Sequence, residues 1–388
     1  MLHIDPHAMD TSPSPDGRLP DKPMEVSLVA GVPSVVDALA ERAAASHRFL
    51  RAAWFCRGEP AALSTLVARR GDGEAIIALP LRQIGPQVLG ARAVAGSYWP
   101  FRSAALAQSV TVADVLTLLD DPIAQRALGP ALRLGPIYRS DRLGLLLSQA
   151  ARIKGWGVLC RKLGQSFTQD LVGDDGVARW PSPSRRKKIR RLRARLEQVG
   201  PVTVRIVRAA GWSRQVFRDL ARIEENSWVG TRTDRSGAKF LNPDMLAHWQ
   251  RAVVDPVIAD LLSASILYVG DRPVAFSLDL IAGTLQYGIA SSYDDAFARY
   301  SPGQIVTVHA IDDSVARGVR TIDWGAGDSG YKQEIGARPG EVIQDLLIVR
   351  SPALAVTLRP KWEGAGGQGT SLLAAGMAED ASGVSPPG

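Results

Sequence analysis

Cysteine is almost absent from this chain. Its 388 residues include two, Cys56 and Cys160, too few for a disulfide framework and without metal-ligand spacing. The five histidines, His3, His7, His47, His248 and His309, are scattered, so neither a structural zinc nor any other metal is expected. No apolar run approaches the roughly 18 to 20 residues that a membrane span needs. The opening MLHIDPHAMDTSPSPDG lacks the basic start and apolar centre of a secretory leader, which makes the cytoplasm the expected location.

What is present has a globular profile. The chain is 46% hydrophobic and 22% charged, and its length favours two domains plus tails. Residues 1–24 are rich in Pro, Asp and Ser, and residues 353–388 end in a Gly/Ala/Ser-rich stretch, so both are expected to be mostly disordered tails. The net charge of +7 is smaller than the eight basic residues packed into Arg185–Arg195 (RRKKIRRLRAR), so basicity is concentrated in one segment. There Ile189, Leu192, Leu196 and Val199 recur at helical spacing, which predicts a basic linker helix over 179–200 with one apolar stripe. Three readings of its charge stay open: a solvated face, a site for an anionic carrier or membrane-surface lipid, and an RNA site. No aromatic residue interleaves the basic run, which argues against a base-stacking platform.

The richest stretch is Arg299 to Lys332, RYSPGQIVTVHAIDDSVARGVRTIDWGAGDSGYK. Ser301 fits an N-cap, Pro302 the first helical position and Gln304 the closing residue of a capping box. The helix N-terminus so formed would offer the N–H groups of Gly303 to Ile305 to an anion, with Arg299 adding charge. Around it the apolar runs Leu262–Val269, Arg272–Ile281 and Thr284–Ser292 read as an antiparallel meander, followed by a strand at Arg320–Trp324, a short helix at Ser329–Ile335 and a strand at Val342–Val349. A strand at Val202–Val207 and helices near Ser213–Trp228 and Asn242–Val254 precede them.

This order of elements resembles the GNAT acyltransferase fold. More narrowly, YSPGQIVTVHAIDDSVARGVRTIDWGAGDSGYKQEIGAR resembles GNAT proteins of the CelD type, associated with cellulose and exopolysaccharide biosynthesis and distantly related to the FemAB aminoacyltransferases. The run Asp323, Trp324, Gly325, Gly327, Asp328, Tyr331, Lys332 carries most of that likeness. The first half reads as a degenerate copy, with a meander over Ala62–Arg70, Glu74–Gln83 and Gln87–Ala95, helices near Thr111–Leu128 and Ser140–Ile153, and Leu132-Arg133-Leu134-Gly135 where the second half has Ile322-Asp323-Trp324-Gly325. The expected fold is therefore α/β, two tandem GNAT-like lobes with mixed, mostly antiparallel sheets flanked by helices. Residues 25–178 would form the degenerate lobe, suited to a scaffold or acceptor-binding role, and 201–352 the catalytic lobe.

The resemblance implies acetyl-CoA or another acyl-CoA as co-substrate, with its pantetheine arm along Gly288, Ile289, Ala290 and Ser291 and its diphosphate at the turn holding Arg299, Ser301, Gly303, Gln304 and Ile305. It also implies that Tyr331, on the helix after the next strand, is the acid for the departing thiolate. No Ser-His-Asp or Cys-His set stands out, which favours direct attack in a ternary complex. Asp323, at the C-terminal end of its strand, is the first candidate for acceptor binding or base, its other reading being a salt bridge or a turn-stabilising hydrogen bond. Asp328 fits an N-cap or an acceptor contact, and Lys332 an anion contact or a pair with Asp323. Glu225 is a reserve base, and Trp228 a surface on which a sugar can stack. The acceptor implied is a small or carrier-linked sugar or amino sugar of envelope or exopolysaccharide synthesis. An aminoacyl-tRNA-dependent FemAB-like transferase and a silent scaffold of a polysaccharide synthase are the alternatives.

Overall fold

The computed structural model describes residues 24–364 except 57–61, 72, 97–101, 236 and 328–330. Twelve strands run as β1 Glu25–Ala30, β2 Leu63–Arg69, β3 Ala75–Gln83, β4 Arg92–Val94, β5 Ala131–Tyr138, β6 Gly157–Asp170, β7 Val202–Val207, β8 Leu262–Val269, β9 Arg272–Ala282, β10 Leu285–Tyr293, β11 Thr321–Ala326 and β12 Arg338–Val349. They form one continuous sheet in the order β1-β2-β3-β4-β5-β12-β6-β11-β10-β9-β8-β7. Only β4–β5 and β10–β11 are parallel; every other neighbouring pair is antiparallel.

Each half thus repeats one plan: an antiparallel run of four strands, then a fifth parallel to the fourth. The sixth strand of each half is exchanged, so β6 pairs with β11 of the second half and β12 with β5 of the first. β6 and β12 pair with each other along most of their length, from Arg338↔Thr168 to Val349↔Gly157, which fuses two expected sheets into one. At this seam Asp345 on β12, fully buried, accepts hydrogen bonds from Nη2 of Arg133 on β5 and of Arg161 on β6, each at 2.7 Å. The chain beyond β12, expected as tail from residue 353, first forms the helix Pro352–Gly364, and its Trp362 ring lies 4.3 Å from the Arg161 guanidinium.

Several helices start where a short polar side chain meets proline. Asp121-Pro122, Asn242-Pro243 and Asp255-Pro256 each place a cap oxygen on free amide groups one turn in, and Ser182 likewise accepts from Arg185 N–H to open the basic helix Pro183–Glu197. Ile189, Leu192 and Leu196 of that helix are buried against the helix Pro302–Ala316 and the second half of the sheet. Val199 falls out of the expected stripe: the helix ends at Glu197 and Val199 is exposed.

Ser301-Pro302 breaks the pattern and corrects the expected capping box. The chain reaches Ser301 from a 3-10 turn, Asp295–Tyr300, and Ser301 closes that turn in the left-handed region at φ 51°. A capping residue needs extended backbone to aim its oxygen at the helix, so Ser301 makes no side-chain cap, and Gln304 has no such partner to reciprocate.

Candidate active site

β10 and β11 pair in parallel over three positions only, ending at Tyr287↔Asp323. Beyond that point β10 bulges between Gly288 and Ala290 while β11 turns at Gly325, whose φ of 77° favours glycine. The two strands therefore splay apart above Asp323. Side chains alternate along β11, so Ile322 and Trp324 pack toward the helix Pro302–Ala316 while Asp323 faces the other way, with Tyr287.

Asp323 is 5% exposed and fully engaged: Oδ2 accepts from the Tyr138 hydroxyl at 2.7 Å, and Oδ1 from Gly325 N–H at 2.7 Å. Burial lifts its carboxyl above the usual carboxylate range, while those two hydrogen bonds and the Lys332 charge pull the other way. Burial and the neighbouring Asp323 charge hold the Tyr138 phenol well above its ordinary value, and the Tyr287 phenol shifts upward for the same reasons. Both tyrosines thus stay protonated and able to donate. The expected turn-stabilising bond of Asp323 is present, and its carboxylate also joins the lobes.

Lys332, buried, places Nζ on the carbonyls of Gly325 (2.9 Å) and Ala326 (3.0 Å) and 5.5 Å from the Phe167 ring centre. It braces the turn after Asp323. Tyr331 opens the short helix Tyr331–Glu334, and Asp328 lies outside the described residues. Gln169 on β6 joins this turn to the next: it accepts from Trp324 Nε1 at 3.1 Å and donates to Ile335 O at 2.7 Å.

Gly288 to Ser291 continue β10 past its last pair with β11, and a Cβ on Gly288 would sit 3.6 Å from Asp323 O, an ordinary contact, so the splay opens beyond Gly288. The expected anion turn is tighter than its sequence implies. Gln304 and Ile305 N–H both reach Ser301 O, leaving Gly303 N–H for a ligand, and the Tyr293 ring lies over Gly303, 3.3 Å from where its Cβ would be. Ile305 is buried, and the Arg299 guanidinium stacks 4.7 Å from the Tyr300 ring centre.

Of the acceptor-side candidates, Trp228 is half exposed and Glu225 is exposed, whereas the adjacent Glu224 is buried and accepts from Lys239, Phe240 and Leu241 N–H at 2.7 to 3.0 Å. Glu224 is a clamp on that turn. Three residues that sequence reasoning passed over belong to the site: Tyr138, Tyr287 and Gln169. Tyr138 sits at the end of β5, in the lobe read as degenerate, and only the strand exchange brings it to Asp323. Among the described residues no group of His, Cys, Asp and Glu is arranged to hold a metal, and no helix is long and apolar enough to cross a membrane.

With this geometry in hand, residues 183–333 match the family described as Acetyltransferase (GNAT) domain. That segment is a GNAT-type acetyltransferase domain. The enzyme is accordingly an acyltransferase, and GNAT domains use acyl-CoA. No curated protein matches the chain. Among solved structures, FemX resembles it at 13% identity over 83% of this chain and 97% of that one, with a TM-score of 0.56. L-PGS from Bacillus licheniformis does so at 14% over 87% and 98%, with a TM-score of 0.51. A conserved protein of unknown function from Bacteroides thetaiotaomicron reaches 11% over 84% and 100%, at 0.50. At these identities the likeness is one of fold, and it extends over both lobes of the acyltransferase.

Proposed function

We propose that this acyltransferase moves an acyl group, acetyl first, from acyl-CoA to a nitrogen or oxygen of a sugar or amino-sugar intermediate of envelope or exopolysaccharide synthesis. The observation that carries the reading is the buried Asp323 at the base of the splayed β10–β11 pair, inside the stretch that matches the GNAT family. CoA, when bound, supplies the thioester. The CelD-like run from Asp323 to Lys332 supports the choice of acceptor class.

The roles then follow from position. The backbone of Gly288 to Ser291, beyond the last paired position of β10 with β11, is the place for the thioester carbonyl, and Gly303 N–H with Arg299 can take a phosphate oxygen. Asp323 Oδ2, held by Tyr138, takes the acceptor proton; a carboxylate raised above its ordinary pKa is the stronger base for that task. Tyr331 returns a proton to the departing thiolate. Glu225 and Trp228 lie on the acceptor side, and Glu225 is the reserve base.

A FemAB-like aminoacyl transfer is the second reading, favoured by the FemX-like fold of both lobes. Calorimetry with CoA, followed by a thiol-release assay against a panel of sugars and amino sugars, separates the two. CoA binding with acceptor-dependent thiol release supports the proposal. Absence of CoA binding by the intact protein refutes it.

A further inference from the structure

The basic helix Pro183–Glu197 borders two adjoining grooves of about 470 and 410 Å3 that share Ser184 and Lys188. The first is lined by Lys187, Lys188, Arg191 and Arg195, the second by Trp180, Arg185, Lys188 and the turn Gln333–Gly336. Among the described side chains no carboxylate lines either one. On this helix Arg186 pairs with Asp312 and Arg193 with Glu197, but Lys187, Lys188, Arg191 and Arg195 have no ion pair among the described residues. Ile189, Leu192 and Leu196 anchor the helix in the core, which sets where its exposed cations Lys187, Lys188, Arg191 and Arg195 emerge beside the grooves.

The second groove also leads to the catalytic turn. Its far wall follows directly on Lys332, and Gln169 ties that wall to β11 through Trp324 Nε1 and Ile335 O. A ligand with its anionic end at Lys188 and Arg185 would therefore stand beside the turn that follows β11, on the Trp324 face of the sheet, and its sugar would meet Asp323, which faces the other way, only past the end of β11. The volume suits a small molecule, a few hundred Å3 being the usual size of such sites. Trp180, with the Arg185 guanidinium 5.9 Å from its ring centre, adds an aromatic wall.

We propose that this groove binds the diphosphate of a nucleoside-diphosphate-linked acceptor, so that the sugar to be acylated arrives on a nucleotide carrier. The proposal rests on the acyltransferase reading for its catalytic meaning, but the groove is testable by itself. The probes are UDP and inorganic pyrophosphate, titrated into the full chain at low salt, where attraction between exposed charges is least screened. Lys188→Glu reverses a charge shared by both grooves and should weaken both probes by about tenfold or more, since it trades attraction for repulsion at close range. Arg190→Glu makes the same change in net charge on an exposed residue that lines neither groove, and should weaken them by about twofold at most. Thermal melts check that both variants fold, and Arg185→Glu is the second groove variant should Lys188→Glu not.

Failure of the intact protein to bind either probe overturns the proposal, as does an equal loss in Arg190→Glu, which would mean a diffuse charge field. An equal loss of CoA affinity in Lys188→Glu also overturns it, by making the groove part of the donor site. Tighter binding of an RNA oligonucleotide, or of phosphatidylglycerol vesicles, with the same Lys188 dependence would replace the small ligand by a polyanion or a membrane surface. Diphosphate binding without any CoA binding would support the groove and remove the acyl-CoA reading instead.

Discussion

The hydroxyl of Tyr138 donates to Oδ2 of Asp323 at 2.7 Å across 185 positions of sequence, joining the end of β5 to the base of the splayed strand pair. Asp323→Asn removes the base while keeping the shape, and should lower kcat by about 10² or more with CoA affinity nearly intact. Tyr138→Phe keeps the base but removes a donor that favours its charged form. The Asp323 carboxyl should then rise further, moving the acidic limb of the kcat/KM profile to higher pH by about one unit. A pH–rate profile of both variants checks this; an unmoved limb in Tyr138→Phe would make the bond merely structural.

The donor side is tested at Gly303. Glutamate there would meet the Tyr293 ring and put a negative charge beside the amide left for a phosphate. CoA affinity should fall at least tenfold, about 1.4 kcal/mol, by calorimetry. If Gly303→Glu binds CoA as the parent does, the diphosphate lies elsewhere, and Arg299 loses its assigned role with it.

Tyr331→Phe tests the proposed acid. Loss of a proton donor to the thiolate should reduce kcat by about 10² while CoA binding changes little. The informative comparison is a donor with a better leaving group than CoA, for which the defect should shrink.

The second lobe was legible because its elements are set by local signals: the meander lies where apolar runs meet glycine turns, and Val202–Val207 forms a strand as its pattern predicts. β6 was not legible, since its fourteen residues mix Arg, Lys, Gln, Ser and Thr with few apolar positions. Its pairing with β11 and β12 is a matter of long-range hydrogen bonds, which local periodicity does not encode. The same gap hid Tyr138, whose neighbour in space is far away in sequence. Ser301 shows the opposite error: a strong local motif lost to the turn that delivers the chain to it.

That seam makes a stability prediction. Asp345 accepts from both Arg133 and Arg161, so Asp345→Ala leaves two neighbouring guanidinium groups without this carboxylate and with little access to water. Breaking a buried ion cluster by removing one partner typically destabilises by about 3 to 5 kcal/mol. Denaturant unfolding should show that loss, and a loss below about 1 kcal/mol would mean that water reaches the seam.

Asp279 predicts a pH dependence of stability distinct from the active site. It lies on β9 opposite Gly288, with Oδ2 accepting from Ser277 Oγ at 2.8 Å, and burial pushes its carboxyl up to about 6. The folded protein therefore binds this proton more tightly than the unfolded chain does. Its contribution to stability is complete below the unfolded pKa of about 4 and is lost as pH rises through 6, the difference amounting to about 3 kcal/mol at most. Asp279→Asn supplies a neutral group at every pH. The variant should match the parent near pH 4 and exceed it above pH 7, a divergence that unfolding measurements in urea across that range will reveal. Parallel stability curves for the two proteins would mean that Asp279 titrates near its unfolded value and that water enters between β9 and the helix Pro302–Ala316.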